Sequence, residues 1–151
     1  VKSIAARKGA AIVTVWSSSM VNASGFLAAI FDKLAEEDIV VDLIATSETA
    51  ISFSIEPEDL KRTLAALEPL KEELSAEIYS KSGLSLIGVI GEGMKETPGI
   101  AGRVFSALGR NKINVELITQ GASEINITFV VEKKDAEKAI HVVHNEFIRK
   151  R

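Results

Sequence analysis

The sequence predicts an α+β protein built of two βαββαβ units, each an antiparallel sheet with its helices on one face, and three observations lead there. The chain repeats itself: Gly25-Phe-Leu-Ala-Ala-Ile-Phe31, Ile39-Val-Val-Asp-Leu-Ile44 and Ile51-Ser-Phe53 return as Gly99-Ile-Ala-Gly-Arg-Val-Phe105, Ile113-Asn-Val-Glu-Leu-Ile118 and Ile127-Thr-Phe129. In each copy an apolar stripe of helical period precedes segments in which apolar and polar residues alternate with the period of a strand. Register holds from the glycine through the Leu-Ile pair, after which the second copy carries two extra residues before Ser123-Glu124, the counterpart of Ser47-Glu48. Helix and strands were therefore duplicated as a unit.

Taken in order, residues 11–16 are apolar and β-branched and read as a strand, which Ser17 to Ser19 end with hydroxyls suited to a turn or a cap. Phe26, Leu27, Ile30, Phe31 and Leu34 form one apolar stripe of a helix whose wet side holds Asp32, Lys33, Glu36 and Glu37. Strands are expected at 39–46 and 51–55, joined by a turn at Ser47-Glu48-Thr49. Pro57 opens a second helix, a position where its missing N–H costs nothing, with Leu60, Leu64 and Leu67 inward, and 76–80 supplies one more strand. The second copy starts with a strand at 84–90. Thr97 is expected to cap the next helix and Pro98 to occupy its first position, while Ile100, Val104, Phe105 and Leu108 repeat the stripe. Strands at 113–119 and 125–131 and a helix over 135–148, with Ala139, Ile140, Val143 and Phe147 inward, complete the chain. The second copy so lacks a closing strand, and 2–6 is strand-like without a place in the first. We expect this segment to close the exposed sheet edge, which inserts a first domain of 11–81 into a second made of 1–8 and 82–151.

A chain of 151 residues divided in this way has two small cores, each marginal alone, so the halves are expected to pack on each other or on another copy. A formal charge of −3 with mixed signs provides no basic field, which argues against nucleic acid as a partner. The absence of cysteine excludes disulfides and thiolate metal sites, and no apolar run is long enough to span a membrane; a cytoplasmic protein is expected. The chain opens on Val1 without a signal-peptide pattern and is expected to be a piece of a longer protein.

Few residues point to chemistry. Gly88, Gly91, Gly93 and Gly99 lie between a strand and a helix, but neither the phosphate-loop ending nor the dinucleotide spacing is present, and a turn-forming role is preferred. His141 and His144 stand three apart on the last helix, a zinc-compatible spacing with no third ligand in sight, and read as helix-surface residues. Trp16 reads as packing. The helix N-terminus of each copy is more informative, because unpaired N–H groups at the positive end of the dipole can hold a carboxylate, and the glycine lets it come close. Opposite it Asp42 interrupts an apolar run and Glu48 sits in the turn, offering negative charge to an ammonium. Together these describe an amino-acid site. On spacing alone, Asp42 reads equally well as a solvated carboxylate on the open sheet face.

Met20-x-x-x-x-Gly25-Phe26-Leu27-Ala28-x-x-Phe31, followed by Val41-Asp42-Leu43-Ile44-x-Thr46-Ser47-Glu48, resembles the first ACT domain of the aspartate kinases. Pro98-Gly99-Ile-Ala-x-Arg103-Val-Phe105, with Asn114-Val-x-Leu-Ile-Thr-Gln-Gly-Ala-Ser-Glu124-Ile-Asn-Ile, resembles their second, so the resemblance covers almost the whole chain. The first motif is similar to the lysine-inhibited branch, from which Asn22-Ala23-Ser24 and Thr49 depart. The resemblance implies ferredoxin-like domains, the first inserted into the second, that regulate an enzyme transferring the γ-phosphate of ATP to the aspartate side-chain carboxylate. It implies ATP and magnesium in an amino-terminal kinase domain outside these residues, and no catalytic residue, metal or cofactor within them. By motif, Met20, Asn22, Ser24, Gly25, Phe26, Leu27, Val41, Asp42, Thr46, Ser47 and Glu48 would line an effector site at a two-fold contact between first ACT domains of a homodimer. Lysine is the expected effector, threonine the second choice. With Glu116 at the Asp42 position and a longer turn, the second copy is expected to serve packing. Three rivals remain at this stage: a stand-alone double-ACT amino-acid sensor without a kinase, an RNA-binding sheet, and a metabolic enzyme. Asp42, Thr46, Ser52 and Ser54 in place of exposed aromatic and basic residues count against RNA, and the lack of a credible nucleophile, base or metal set counts against an enzyme.

Overall fold

The computed structural model describes residues 1–123 and 125–148; Glu124, the acid of the second Ser-Glu pair, lies outside the described residues. The class is α+β, and the chain forms two compact units: Ala10–Ser82, and Val1–Gly9 together with the chain from Gly83 onward.

Two long strands depart from the sequence reading. Segments 2–6 and 11–16 belong to one strand, β1 (Ser3–Trp16), and segments 76–80 and 84–90 to another, β4 (Glu77–Ile90). Gly9 and Gly83 hold φ of 89° and 69° within them, left-handed values that glycine adopts without a Cβ penalty. The residues before each glycine are largely exposed and most of those after it are buried, and the division into units falls at these two glycines. A polar stretch with a glycine resembles a loop in sequence, yet here the strand continues through it.

In the unit Ala10–Ser82, β1 pairs antiparallel with β3 (Ala50–Ile55), from Ala11 opposite Ile55 to Trp16 opposite Ala50, and β3 pairs with β2 (Ile44–Thr46). Helices α1 (Phe26–Glu36) and α2 (Leu60–Leu67), with the short α3 (Leu70–Glu73), supply the other side of a core of Val13, Val15, Ile30, Leu34, Phe53 and Leu67. Phe31 meets Phe53 at 6.0 Å between ring centroids. Leu27 is corrected: it lies outside the buried stripe, 47% exposed. The α1 helix ends where Asp38 turns left-handed (φ 52°) and Ile39 N–H donates back to Leu34 O at 3.0 Å, burying Ile39 against the core.

The other unit repeats this plan. Its strand β4 pairs with β6 (Asn126–Glu132) and β6 with β5 (Leu117–Gln120), and α4 (Ile100–Arg110) and α5 (Ala136–Phe147) cover Ile87, Val89, Ile127 and Phe129. Phe105 meets Phe129 at 6.0 Å as Phe31 meets Phe53. The chain's leading segment lies beside the end of β4, with Lys2 N–H donating to Ile90 O at 2.8 Å and Val1 and Ile4 packed on this unit's core. Gly91 makes that approach possible: a Cβ there would stand 2.8 Å from Lys2 N.

Further corrections concern ends. The strands expected at 39–46 and 113–119 begin only at Ile44 and Leu117. Thr97 does not cap α4; its Oγ1 donates to Gly93 O at 2.9 Å, and Gly99 occupies the N-cap, leaving Pro98 before the helix. Trp16 is partly exposed rather than core.

Candidate functional site

The two glycines that open α1 and α4 are built alike. Gly25 and Gly99 sit at the N-cap with φ of 89° and 87°, and each carbonyl accepts the first helical bond, from Ala29 N–H at 3.0 Å and Arg103 N–H at 2.9 Å. No atom lies within 4 Å of a Cβ placed on either, so glycine is required for the backbone angle and the space beside it is open. The preceding loops match too, since Asn22 and Glu96 both turn left-handed (φ 57° and 54°) after a short 3₁₀ turn. Neither cap has a side-chain hydrogen bond, which leaves the first N–H groups of each helix aimed outward.

At α4 this arrangement borders a cavity of about 360 Å³ walled by Met94, Glu96, Thr97, Pro98, Gly99, Ile100, Ala101 and, from the edge strand β5, Gln120. The sequence reading singled out this helix N-terminus and its glycine as able to hold a carboxylate, but placed none of these residues in the effector site. Yet at one constant offset they correspond to Met20, Asn22, Ala23, Ser24, Gly25, Phe26, Leu27 and Thr46, so the repeat itself was the signal that could have found them. In the second copy, expected only to pack, loop, helix N-terminus and edge strand thus border an open cavity.

In the first copy, Asn22, Ser24, Gly25 and Leu27 are exposed at the start of α1, while Met20 and Phe26 are partly buried against the core. Thr46 ends β2, and Ser47 and Glu48 form the hairpin turn, closed by Ser47 N–H donating to Ala50 O at 2.9 Å. Val41 packs partly on the core, and Asp42 is exposed just before β2. The second-copy counterparts of Val41, Asp42 and Ser47 do not wall the cavity. The nominated residues therefore divide into a group around the helix N-terminus with Thr46, and a second group of Val41, Asp42, Ser47 and Glu48 along the edge strand and its turn.

Asp42 stands in a β-bulge. Both Asp42 and Leu43 oppose Ser54: Asp42 N–H donates to Ser54 O at 3.1 Å, Ser54 N–H to Leu43 O at 3.0 Å, and Leu43 N–H to Ser54 Oγ at 3.0 Å. This bulge shortens β2.

Elsewhere, His141 and His144 are exposed on α5, bordering a shallow apolar hollow with Ile140, and no cluster of three metal-ligating side chains occurs among the described residues. Tyr79 donates its phenol O–H to Glu77, a bond that, with slight desolvation and the carboxylate's charge, raises its pKa above the ordinary value. No helix among the described residues is long and apolar enough to cross a membrane.

A family model for the ACT domain matches residues 13–69 and again 87–147. An aspartate kinase of Gibberella moniliformis is 37% identical over 139 residues, which are 92% of this chain but 27% of that protein. The chain thus spans about a quarter of the length of the curated relatives it matches. Among solved structures, that of aspartokinase alpha and beta subunits aligns with a TM-score of 0.88 at 28% identity, covering 97% of this chain and 98% of the other. Escherichia coli aspartokinase III in complex with lysine and aspartate (T-state) aligns at 0.77 and 31% identity, covering 97% of this chain and 33% of that one.

Proposed function

Because this chain belongs to the ACT-domain family, we propose that it is the regulatory region of an aspartate kinase, which binds an end-product amino acid and thereby inhibits phosphorylation of the aspartate side chain. The observation that carries this reading is the cavity at the start of α4, whose walls have counterparts at equivalent positions of the first copy, around the start of α1 and on β2. Outward-facing N–H groups at such a helix end suit an α-carboxylate, and the carboxylates of Asp42 and Glu48 suit ammonium groups. Lysine, with two ammonium groups, is the effector that uses both; the lysine complex of the E. coli relative supports the choice. Aspartate phosphorylation, with ATP and magnesium, would belong to a kinase domain that the longer relatives carry in addition.

Inhibition follows if lysine fits one arrangement of a homodimer of these domains better than another. Only that difference in affinity can shift the population of the kinase between its states. Asp42→Ala is expected to weaken lysine binding by about 1–3 kcal/mol, since an ammonium loses its charged partner. Isothermal calorimetry of the chain with L-lysine measures this, and an unchanged affinity rejects the site.

A further inference from the structure

We infer that Ser54 is a positioning residue of the effector site, acting through Asp42; the inference rests on the reading of Asp42 given above. Ser54 is fully buried on β3, the strand flanked by β1 and β2, and pairs there with Ile12. It holds the bulge with three hydrogen bonds, and the third is the unusual one. A bulge brings two successive N–H groups to one opposing residue, whose carbonyl must then be shared. Here the carbonyl takes Asp42 N–H at 3.1 Å, and the hydroxyl takes Leu43 N–H at 3.0 Å. Each peptide has its own acceptor, so the backbone carrying Asp42 is fixed from its own N–H and from the residue after it.

The second unit supplies the comparison within the same molecule. Glu116 N–H donates to Val130 O at 2.8 Å, as Asp42 does to Ser54, but valine has no hydroxyl to offer. There Leu117 pairs directly with Val130 and β5 starts at that residue, whereas in the first unit Leu43 stays outside β2, which starts one position later at Ile44. The Ser54 hydroxyl thus distinguishes the edge strand that carries Asp42 from its copy that carries Glu116, at the residue that follows the acid.

The test is a double-mutant cycle read by calorimetry with L-lysine, using the whole chain. Ser54→Ala is expected to weaken lysine binding about tenfold, and Ser54→Val, which copies Val130, to do the same if the alanine variant fails to fold. In an Asp42→Ala background either change is expected to have no further effect on affinity, because the group it positions is gone. An unchanged affinity in Ser54→Ala, or a loss that persists undiminished beside Asp42→Ala, overturns the role of Ser54 alone. An unaltered chain that takes up no lysine, or an Asp42→Ala variant that binds as well as the parent, overturns the effector site and Ser54's role with it.

Discussion

Thr63 and Ser85 each bury a hydroxyl whose oxygen finds no hydrogen-bond partner. The two positions are related by the repeat: where the first unit has Ala11 on its long strand and Thr63 on its second helix, the second has Ser85 and Ala139. Each unit therefore demonstrates that the other's hydroxyl can be dispensed with. A buried hydroxyl that exchanges water for nothing is a net loss, so Thr63→Val and Ser85→Ala are expected to stabilise the chain by up to about 1 kcal/mol each. Urea denaturation checks this, and a clear destabilisation would mean that the hydroxyls are satisfied after all. Ser54 is the contrast, a buried hydroxyl with a bonded N–H, where the same kind of change removes a contact.

Among the elements, α4 and α5 are joined by a contact that α1 and α2 lack. Arg103 donates through Nε to Glu146 Oε1 at 3.1 Å and through a terminal nitrogen to Glu146 O at 2.8 Å, near the end of α5, and its guanidinium lies 4.3 Å from the Phe147 ring centroid. Arg110 adds a bond to the other carboxylate oxygen at 3.2 Å. In the first unit the equivalent of Arg103 is Ala29. Since the arginine is about half exposed, water and salt screen much of the attraction, and Arg103→Ala is expected to cost about 1 kcal/mol, against a few tenths for Arg110→Ala. Thermal denaturation of the two variants at low and high salt separates the stacking from the ionic part. A second difference between copies lies where each long strand ends: Ser17 Oγ donates to Leu74 O at 2.8 Å, whereas Gly91 at the same position admits the backbone of Lys2.

For the whole molecule, the decisive feature is that the N-terminal half of each long strand belongs to a unit completed by the other repeat. Residues 1–9 are remote in sequence from the unit they complete, and close packing at Gly91, the Lys2–Ile90 bond and the seating of Val1 and Ile4 on its core tie them there. In Gly91→Ala the new Cβ would stand 2.8 Å from a backbone nitrogen that cannot rotate away, so the leading segment must shift, at an expected cost of about 1–3 kcal/mol. Hydrogen exchange should locate the damage: amides of β4 after Gly83 and of β6 lose protection, while β2 and β3 keep theirs. Equal loss in both units would show that they unfold as one.

Much of this was legible in the residues. The repeat, the α+β class and nearly every core position follow from periodicity, because a side chain's burial depends on which face of its own helix or strand it occupies, and that is a local property. The same repeat places the cavity beside Gly99 at the position equivalent to the start of α1, but that loop, helix end and edge strand border a common space is a matter of tertiary structure. What the sequence could not disclose depends on hydrogen bonds between distant segments. Arg7-Lys8-Gly9 and Lys81-Ser82-Gly83 look like loops, yet both lie within continuous strands. The alternation of 39–46 promised a full strand, yet β2 holds only three residues, and Asp42 lies in a bulge where it and Leu43 both oppose Ser54. The sequence by itself determined two copies of one fold and the faces they bury; the tertiary structure alone decided which strand halves complete which unit and where the acidic side chain leaves the sheet, because both depend on partners far away in the chain.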